Sequence, residues 1–120
     1  MRVVGVGLAC ALLAFASVSS ASGYLTPLND GVVVKRYLMH GGGGMTVWVS
    51  GTDNPDDCAR TDIVHLKGDL PGHDRMVAAV LAASTSGRKV GFYGSGCEII
   101  PFWGDAGGSV AIVINLWVVE

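Results

Sequence analysis

The fold of this 120-residue chain is decided by residues 73–97, which read HDRMVAAVLAASTSGRKVGFYGSGC. The first part, His73 to Ser86, predicts an α-helix because one stripe of residues recurs at helical spacing. The stripe consists of Met76, Val77, Val80, Leu81 and Ser84. Asp74 suits the positive end of the helix dipole, and Gly87 ends the helix. A strand is predicted directly after it, over Lys89 to Gly94, and Ser95 to Gly108 are predicted to be irregular.

Strands are also predicted on both sides of this stretch, over Val32 to His40, Met45 to Ser50, Thr61 to Lys67 and Val110 to Val119. Apolar and polar residues alternate in residues 45–50, as in a half-buried strand. Gly41 to Gly44 connect this strand to the preceding one as a hairpin. The order strand-strand-strand-helix-strand-strand is that of an OB-fold barrel. We therefore predict a mainly β protein with one helix, a five-stranded OB-fold-like barrel; an open α+β sheet is the alternative.

The N-terminal residues 1–21 have the pattern of an export signal. Arg2 gives a positive start, residues 3–18 are apolar, and Ser19 and Ala21 suit cleavage after Ala21. A membrane anchor is the alternative, but a spanning helix needs about 20 apolar residues and this run is shorter. The predicted division of the chain is a signal peptide over 1–21, a leader over 22–31 and an OB-fold-like domain over 32–120. The mature chain is expected in the periplasm or outside the cell, without stable membrane insertion.

Removal of the signal peptide also removes Cys10 and leaves two cysteines, Cys58 and Cys97. In an oxidising compartment these two predict a disulfide, which would connect the loop before the third strand to the segment after the fourth. Closing a loop of this size stabilises a chain by roughly 4 kcal/mol in the chain-entropy model. Two separate thiols, one of them pairing between chains, are the alternative.

Several segments of the second half carry a resemblance to a known family. They are Cys58 before the third strand, the helix MVAAVLAA (76–83), GRKVGFYGSGC (87–97) and the final NLWVV (115–119). Together they resemble small exported bacterial proteins related to the B subunit of subtilase cytotoxin. The resemblance implies an OB-fold barrel, a homo-oligomer such as the five-membered ring of the toxin, and binding of glycans, which are sialylated in the toxin family. It identifies no sugar-contacting residue in this chain.

Three aromatic residues, Trp48, Tyr93 and Trp117, lie on strand faces opposite the aliphatic ones. If the aliphatic faces point inward, these three side chains point outward, where aromatic rings stack on ligands. They are the predicted ligand-binding residues. Packing against one another, against the N-terminal leader or against a sister subunit is the alternative.

Small residues on the helix predict a contact between subunits. Alanine lets two helices approach closely, and the second face of this helix carries several alanines. They are Ala78, Ala79, Ala82 and Ala83. We predict that these residues form a subunit interface.

Composition and motifs argue against several other function classes. Loss of Arg2 leaves seven basic against ten acidic residues, a formal charge of −3, which disfavours nucleic acid. No metal or other cofactor is predicted, because the histidines are widely spaced and the acidic loop lacks EF-hand spacing. These residues are His40, His65, His73, Asp53, Asp56 and Asp57. The histidines are interpreted as ordinary surface or capping residues.

No catalytic residue is predicted either. A Gly-x-Ser-x-Gly elbow is absent from the sequence, and Cys97 offers no free thiol if it is bridged. The hypothesis, which rests on the resemblance and on the outward aromatic residues, is an exported, oligomeric binding module that recognises a glycan. The alternative is a periplasmic protein that binds or inhibits another protein without catalysis. The last strand, which is apolar on both faces, would suit such a role.

Overall fold

The computed structural model describes residues 22–120, so the predicted signal peptide lies outside the described residues. The described chain forms six strands, one α-helix and one short 3-10 helix. In chain order they are β1 (Gly23–Tyr24), β2 (Val34–Met39), β3 (Met45–Val49), β4 (Ile63–Leu66), α1 (His73–Ser86), β5 (Lys89–Ile99), the 3-10 helix (Gly104–Gly107) and β6 (Ser109–Val119). The prediction of a mainly β protein with one helix is confirmed.

The strands form one mixed sheet in the order β1-β5-β6-β4-β3-β2. Strands β4 and β6 run parallel, and every other neighbouring pair is antiparallel. The parallel pair arises because α1 and β5 lie between β4 and β6 in the chain. The long β5–β6 ladder forms one side of the sheet, and the short strands β2, β3 and β4 form the other.

The prediction of a closed five-stranded barrel is wrong, because the sheet is open and has six strands. The additional strand, β1, lies in the predicted leader and pairs with Tyr93 and Gly94 on the outer edge of β5. A closed barrel would need β2 along that same edge. Directly before β2, an isolated bridge joins Val32 to Val90 of β5, with N–H···O distances of 2.9 and 3.0 Å. Since β1 takes up the neighbouring edge, no continuous ladder closes the sheet.

The hairpin across the glycines is confirmed. Strands β2 and β3 pair with Met39 opposite Met45, and the His40 N–H donates to the carbonyl of Gly44 at 3.0 Å. Strand β5 is longer than predicted and runs to Ile99 with two register shifts. The prediction of an irregular segment from Ser95 is therefore wrong as far as Ile99. The strand conformation of these residues comes from pairing with β6.

The helix has the predicted bounds and covers one face of the sheet. It buries Val77, Val80 and Ala83. Burying each larger aliphatic side chain contributes about 1.5–3 kcal/mol. The helix ends at Gly87, whose φ of 75° is the left-handed conformation that glycine adopts without strain. The sheet residues of the main core include Met45, Val47, Val64, Leu66, Val90, Phe92 and Val113.

The predicted disulfide is present and joins Cys58 to Cys97 across a sequence separation of 39 residues. The loop before Cys58 is held by further bonds. Asn54 contacts both the N–H and the carbonyl of Cys58 at 2.7 Å, and Asp56 accepts a bond from the Gly96 N–H at 2.7 Å. This acidic loop is therefore a hydrogen-bonded turn fixed to β5.

Among residues 22–120, none of the helices has the length and apolar character that crossing a membrane would require.

Candidate functional site

A second, smaller apolar cluster lies apart from the main core. Ile63, Ile100 and Val110 are buried in it, and Trp48 and Trp103 pack against them while remaining half-buried. Trp48 is on β3, and Trp103 follows the turn after β5. Because the two indole rings are only partly covered, they form the walls of an open cleft at this end of the sheet.

This cleft, the aromatic cleft, has a volume of about 210 Å³. It is lined by Arg36, Trp48, Arg60, Ile63, Ile100, Trp103, Gly107, Gly108 and Val110. The rings of Trp48 and Trp103 meet edge to face, with centroids 5.6 Å apart and an interplanar angle of 86°. That geometry is favoured by the ring quadrupoles, so the walls are held in place before any ligand arrives.

Two arginines at the cleft differ in what holds them. Arg60 is bound to both carboxylate oxygens of Asp62, at 2.9 and 2.8 Å. This hydrogen bonding raises the pKa of Arg60 and lowers the pKa of Asp62. The guanidinium of Arg36 lies 4.1 Å above the Trp48 ring, and within residues 22–120 it forms no salt bridge. Arg36 is therefore the cation that is available to a ligand.

The turn after β5 presents a third ring. The N–H groups of Trp103 and Gly104 both donate to the carbonyl of Ile100, at 3.0 and 2.9 Å, which fixes the turn. Phe102 at its tip is 68% exposed and packs edge to face on Trp103 at 5.1 Å. The turn therefore holds an exposed apolar ring in a fixed position.

Next to this turn, two histidines share one threonine hydroxyl. Thr46 Oγ1 lies 2.7 Å from His40 Nε2 and 3.2 Å from His65 Nδ1. Thr46 and His65 are buried. Burial lowers the pKa of His65, and the nearby His40 lowers it further. Since the hydroxyl has a single proton, it donates to one imidazole and accepts from the other. Only one ring at a time can be the acceptor.

The interpretation of His65 as an ordinary surface residue is therefore wrong, whereas His40 is half-buried directly after β2. His65 is only 8% exposed, and the two rings lie 5.6 Å apart. The sequence pattern could have indicated that Thr46 belongs near the site, because alternation in β3 places Thr46 on the same face as Trp48. Pairing of β3 with β4 then sets Thr46 opposite His65.

A second cavity, the histidine cavity, lies on the other side of the Phe102 turn and has a volume of about 310 Å³. It is lined by His40, Gly42, Gly43, His65, Ile100, Pro101 and Phe102. His40 contacts Phe102 and Trp103 edge to face at 5.9 and 6.0 Å. The histidine pair and the aromatic turn are thus one packed unit.

The three predicted ligand-binding aromatics are not brought together. Trp48 lies in the aromatic cleft, whereas Tyr93 and Trp117 pack with Tyr24 of β1, with ring centroids 4.9 and 6.1 Å from it. The Trp117 Nε1–H donates to the carbonyl of Asp30 at 3.2 Å. For Tyr93 and Trp117 the structure shows packing against the N-terminal segment, the alternative that the sequence left open.

The four alanines of α1 that were predicted to form a subunit interface differ in burial. Ala83 is only 1% exposed and belongs to the main core, so its assignment to a subunit interface is wrong. The helix turns Ala83 inward together with Val80. Ala78 and Ala82 are exposed and Ala79 is half-buried, and a subunit interface there stays a prediction.

Within the described part of the chain, no three histidine, cysteine or acidic side chains are grouped in a way that could hold a metal ion. The chain matches no protein-family model, and neither the curated proteins nor the solved structures give a match to it. The resemblance to toxin B subunits therefore stays a prediction from the sequence.

Proposed function

We propose that this protein is an exported, non-catalytic binding module that recognises a glycan in the aromatic cleft. The observation that carries the proposal is the pair of half-buried indole rings, Trp48 and Trp103, beside the guanidinium of Arg36. Indole rings offer an apolar face to the C–H face of a sugar. An arginine offers several N–H donors in a fixed plane to its hydroxyl or carboxyl oxygens.

The position of the cleft in the sheet supports the same proposal. It lies on β3 and β4, through Trp48 and Ile63, and against the connection between β5 and β6, which includes Trp103 and Gly107. In OB folds the corresponding strands and loops bind oligosaccharides and oligonucleotides. The sheet here has the helix at the same place in the strand order, although it remains open. A net acidic chain favours a sugar over a nucleic acid.

Export and assembly complete the proposal. The disulfide between Cys58 and Cys97 suits an oxidising compartment outside the cytoplasm. A homo-oligomer would present several clefts at once and raise the avidity for a glycan surface. The exposed Ala78 and Ala82 are the proposed contact between subunits.

A glycan array tests the function. The oxidised protein comprising residues 22–120 is compared with W48A and with the control Y24S, which removes an aromatic ring far from the cleft. We expect selective, saturable binding that is lost in W48A and retained in Y24S. An array without signal from folded wild-type protein would overturn the proposal.

One observation favours a protein ligand as the second candidate. Strand β2 is an edge of the sheet, and exposed apolar side chains continue from it to the aromatic turn. These are Tyr37 at 42%, Met39 at 51% and Phe102 at 68% exposure. A partner could pair with the free strand edge and cover this strip.

Cross-linking in the native periplasm distinguishes this candidate. A photoreactive residue in place of Met39 should trap a defined partner, and one in place of the exposed Ala78 should not trap the same partner. Absence of any partner-specific product at Met39 would remove the candidate.

A further inference from the structure

The aromatic cleft and the histidine cavity lie on two sides of the same turn. Ile100 lines both of them. A third hollow of about 210 Å³ lies between Trp48, Phe102 and Trp103 and borders both. The cleft alone, at about 210 Å³, is smaller than the roughly 300–1,000 Å³ of usual ligand pockets. The histidine cavity, at about 310 Å³, lies within that range by itself, and the hollow between Trp48, Phe102 and Trp103 shares lining residues with both cavities.

Each of the two cavities combines an aromatic ring with side-chain nitrogens that can form hydrogen bonds. The aromatic cleft combines the indole rings with the cation of Arg36. The histidine cavity combines the ring of Phe102 with two imidazoles. A ligand that suits both has repeating units, each with an apolar face and hydroxyl groups at its edge.

The imidazoles of the histidine cavity retain bonding capacity. Thr46 uses Nε2 of His40 and Nδ1 of His65. The other nitrogens, His40 Nδ1 and His65 Nε2, have no protein partner among residues 22–120, and neither is one of the buried polar atoms that lack a partner. Because the threonine hydroxyl donates to one imidazole and accepts from the other, the nitrogen that carries the proton is Nε2 in both rings or Nδ1 in both rings. One free nitrogen therefore donates and the other accepts, which is what a sugar hydroxyl requires.

We propose that the site is built for a glycan chain of at least two sugar units, with one unit in the aromatic cleft and the next in the histidine cavity. The chain crosses the exposed face of Phe102, which separates the two subsites. This inference rests on the proposed glycan-binding function, and it adds the length of the ligand and the role of His40 and His65.

The test measures affinity against ligand length. Three series of increasing length are titrated calorimetrically into the oxidised protein. They are galactose, lactose and lacto-N-neotetraose; mannose, mannobiose and mannotetraose; and glucose, cellobiose and cellotetraose. For the series that binds, we expect the disaccharide to bind about tenfold more tightly than the monosaccharide, the gain from an added aromatic contact. In F102A the ratio of the two affinities should fall to about one. Phe102 is exposed, so this variant leaves the core intact.

Two variants complete the design. H40Q should also lower the ratio, because it alters the free ring nitrogen of the histidine cavity, and the control Y24S should leave it at the wild-type value. Equal affinity for one and two units in the wild-type protein would overturn the two-subsite inference while leaving the glycan-binding function in place. Absence of binding to all three series and to the array would overturn both.

Discussion

Two groups of aromatic side chains at different places in the sheet contain the same kinds of residue but have different surroundings. In the N-terminal aromatic cluster, Tyr24 of the first strand packs edge to face on Tyr93 and Trp117, and the indole N–H of Trp117 donates to the carbonyl of Asp30. In the aromatic cleft, Trp48 and Trp103 meet over an open hollow beside Arg36, which forms no salt bridge in the part of the chain that the structure describes. The comparison teaches that an outward-facing ring indicates a binding site only when no other segment of the chain covers it.

The largest expected effect on stability comes from removing Trp117, which attaches the N-terminal segment to the sheet. We expect W117A to lower the free energy of unfolding by about 3 kcal/mol, the low end for an aromatic truncation because the ring is half-buried. Urea denaturation of the oxidised protein measures it. Glycan affinity at the cleft should be unchanged; a loss of affinity equal to that of W48A would mean that the two groups act as one site.

Substitution of Gly91 tests the packing of Trp117 by a smaller change than W117A. A Cβ placed on Gly91 would lie 2.1 Å from the Trp117 ring, so G91A forces the ring away. We expect a loss of about 2 kcal/mol in urea denaturation, as for overpacking of a tight contact. In the double variant G91A/W117A the methyl group has room. The double variant should therefore be no less stable than W117A alone, and additive losses would contradict the contact.

The helix, the hairpin and the disulfide could be predicted from the sequence because each depends on local pattern or on simple elimination. The stripe from Met76 to Leu81 has helical spacing, and the glycines at 41–44 separate two strand patterns. Removal of Cys10 leaves one pair of cysteines. These features do not require knowledge of which strands are neighbours.

The open edge of the sheet and the second half of the site depend on non-local pairing. Gly23 and Tyr24 have no strand pattern of their own, yet their pairing with β5 prevents closure of a barrel. Phe102 and Trp103 lie in a segment that was expected to be irregular, and only the sheet places Trp103 against Trp48. His40 and His65 meet because β3 lies between their strands.

Buried His65 predicts a pH dependence of stability that arises on the cleft side of the molecule. Burial lowers the pKa of His65 in the folded state, so between that lowered value and the ordinary value near 6.5 the unfolded chain binds more protons. The free energy of unfolding should therefore decrease as the pH falls below about 6.5 and be insensitive to this group above it. The charged groups that act on His65 are His40, Glu98, Lys67 and His73.

The measurement is urea denaturation at a series of pH values between 7.5 and 5, above the range in which most carboxylates titrate, at about 4. H65N retains an amide N–H toward Thr46 but does not titrate. Its stability should change less with pH than that of the wild-type protein, whereas W117A should keep the wild-type pH dependence although it is less stable. An identical slope in H65N and wild type would show that another group is responsible.

The smallest expected effect concerns Arg36, which has no counterpart in the N-terminal aromatic cluster. Its guanidinium lies 4.1 Å from the Trp48 ring centroid, and a cation–π contact at an exposed site is worth about 0.5–1 kcal/mol. R36M keeps the length of the side chain and removes the charge, so we expect a loss of stability in that range.

K35M, on the neighbouring residue of the same strand, is the matched control and should change stability by less. If the two variants behave alike, the loss reflects strand charge in general, and Arg36 is free to turn from Trp48 toward a ligand. If only R36M loses stability, the contact with Trp48 holds Arg36 over the cleft in the unliganded protein, and the aromatic and cationic surface there is preformed.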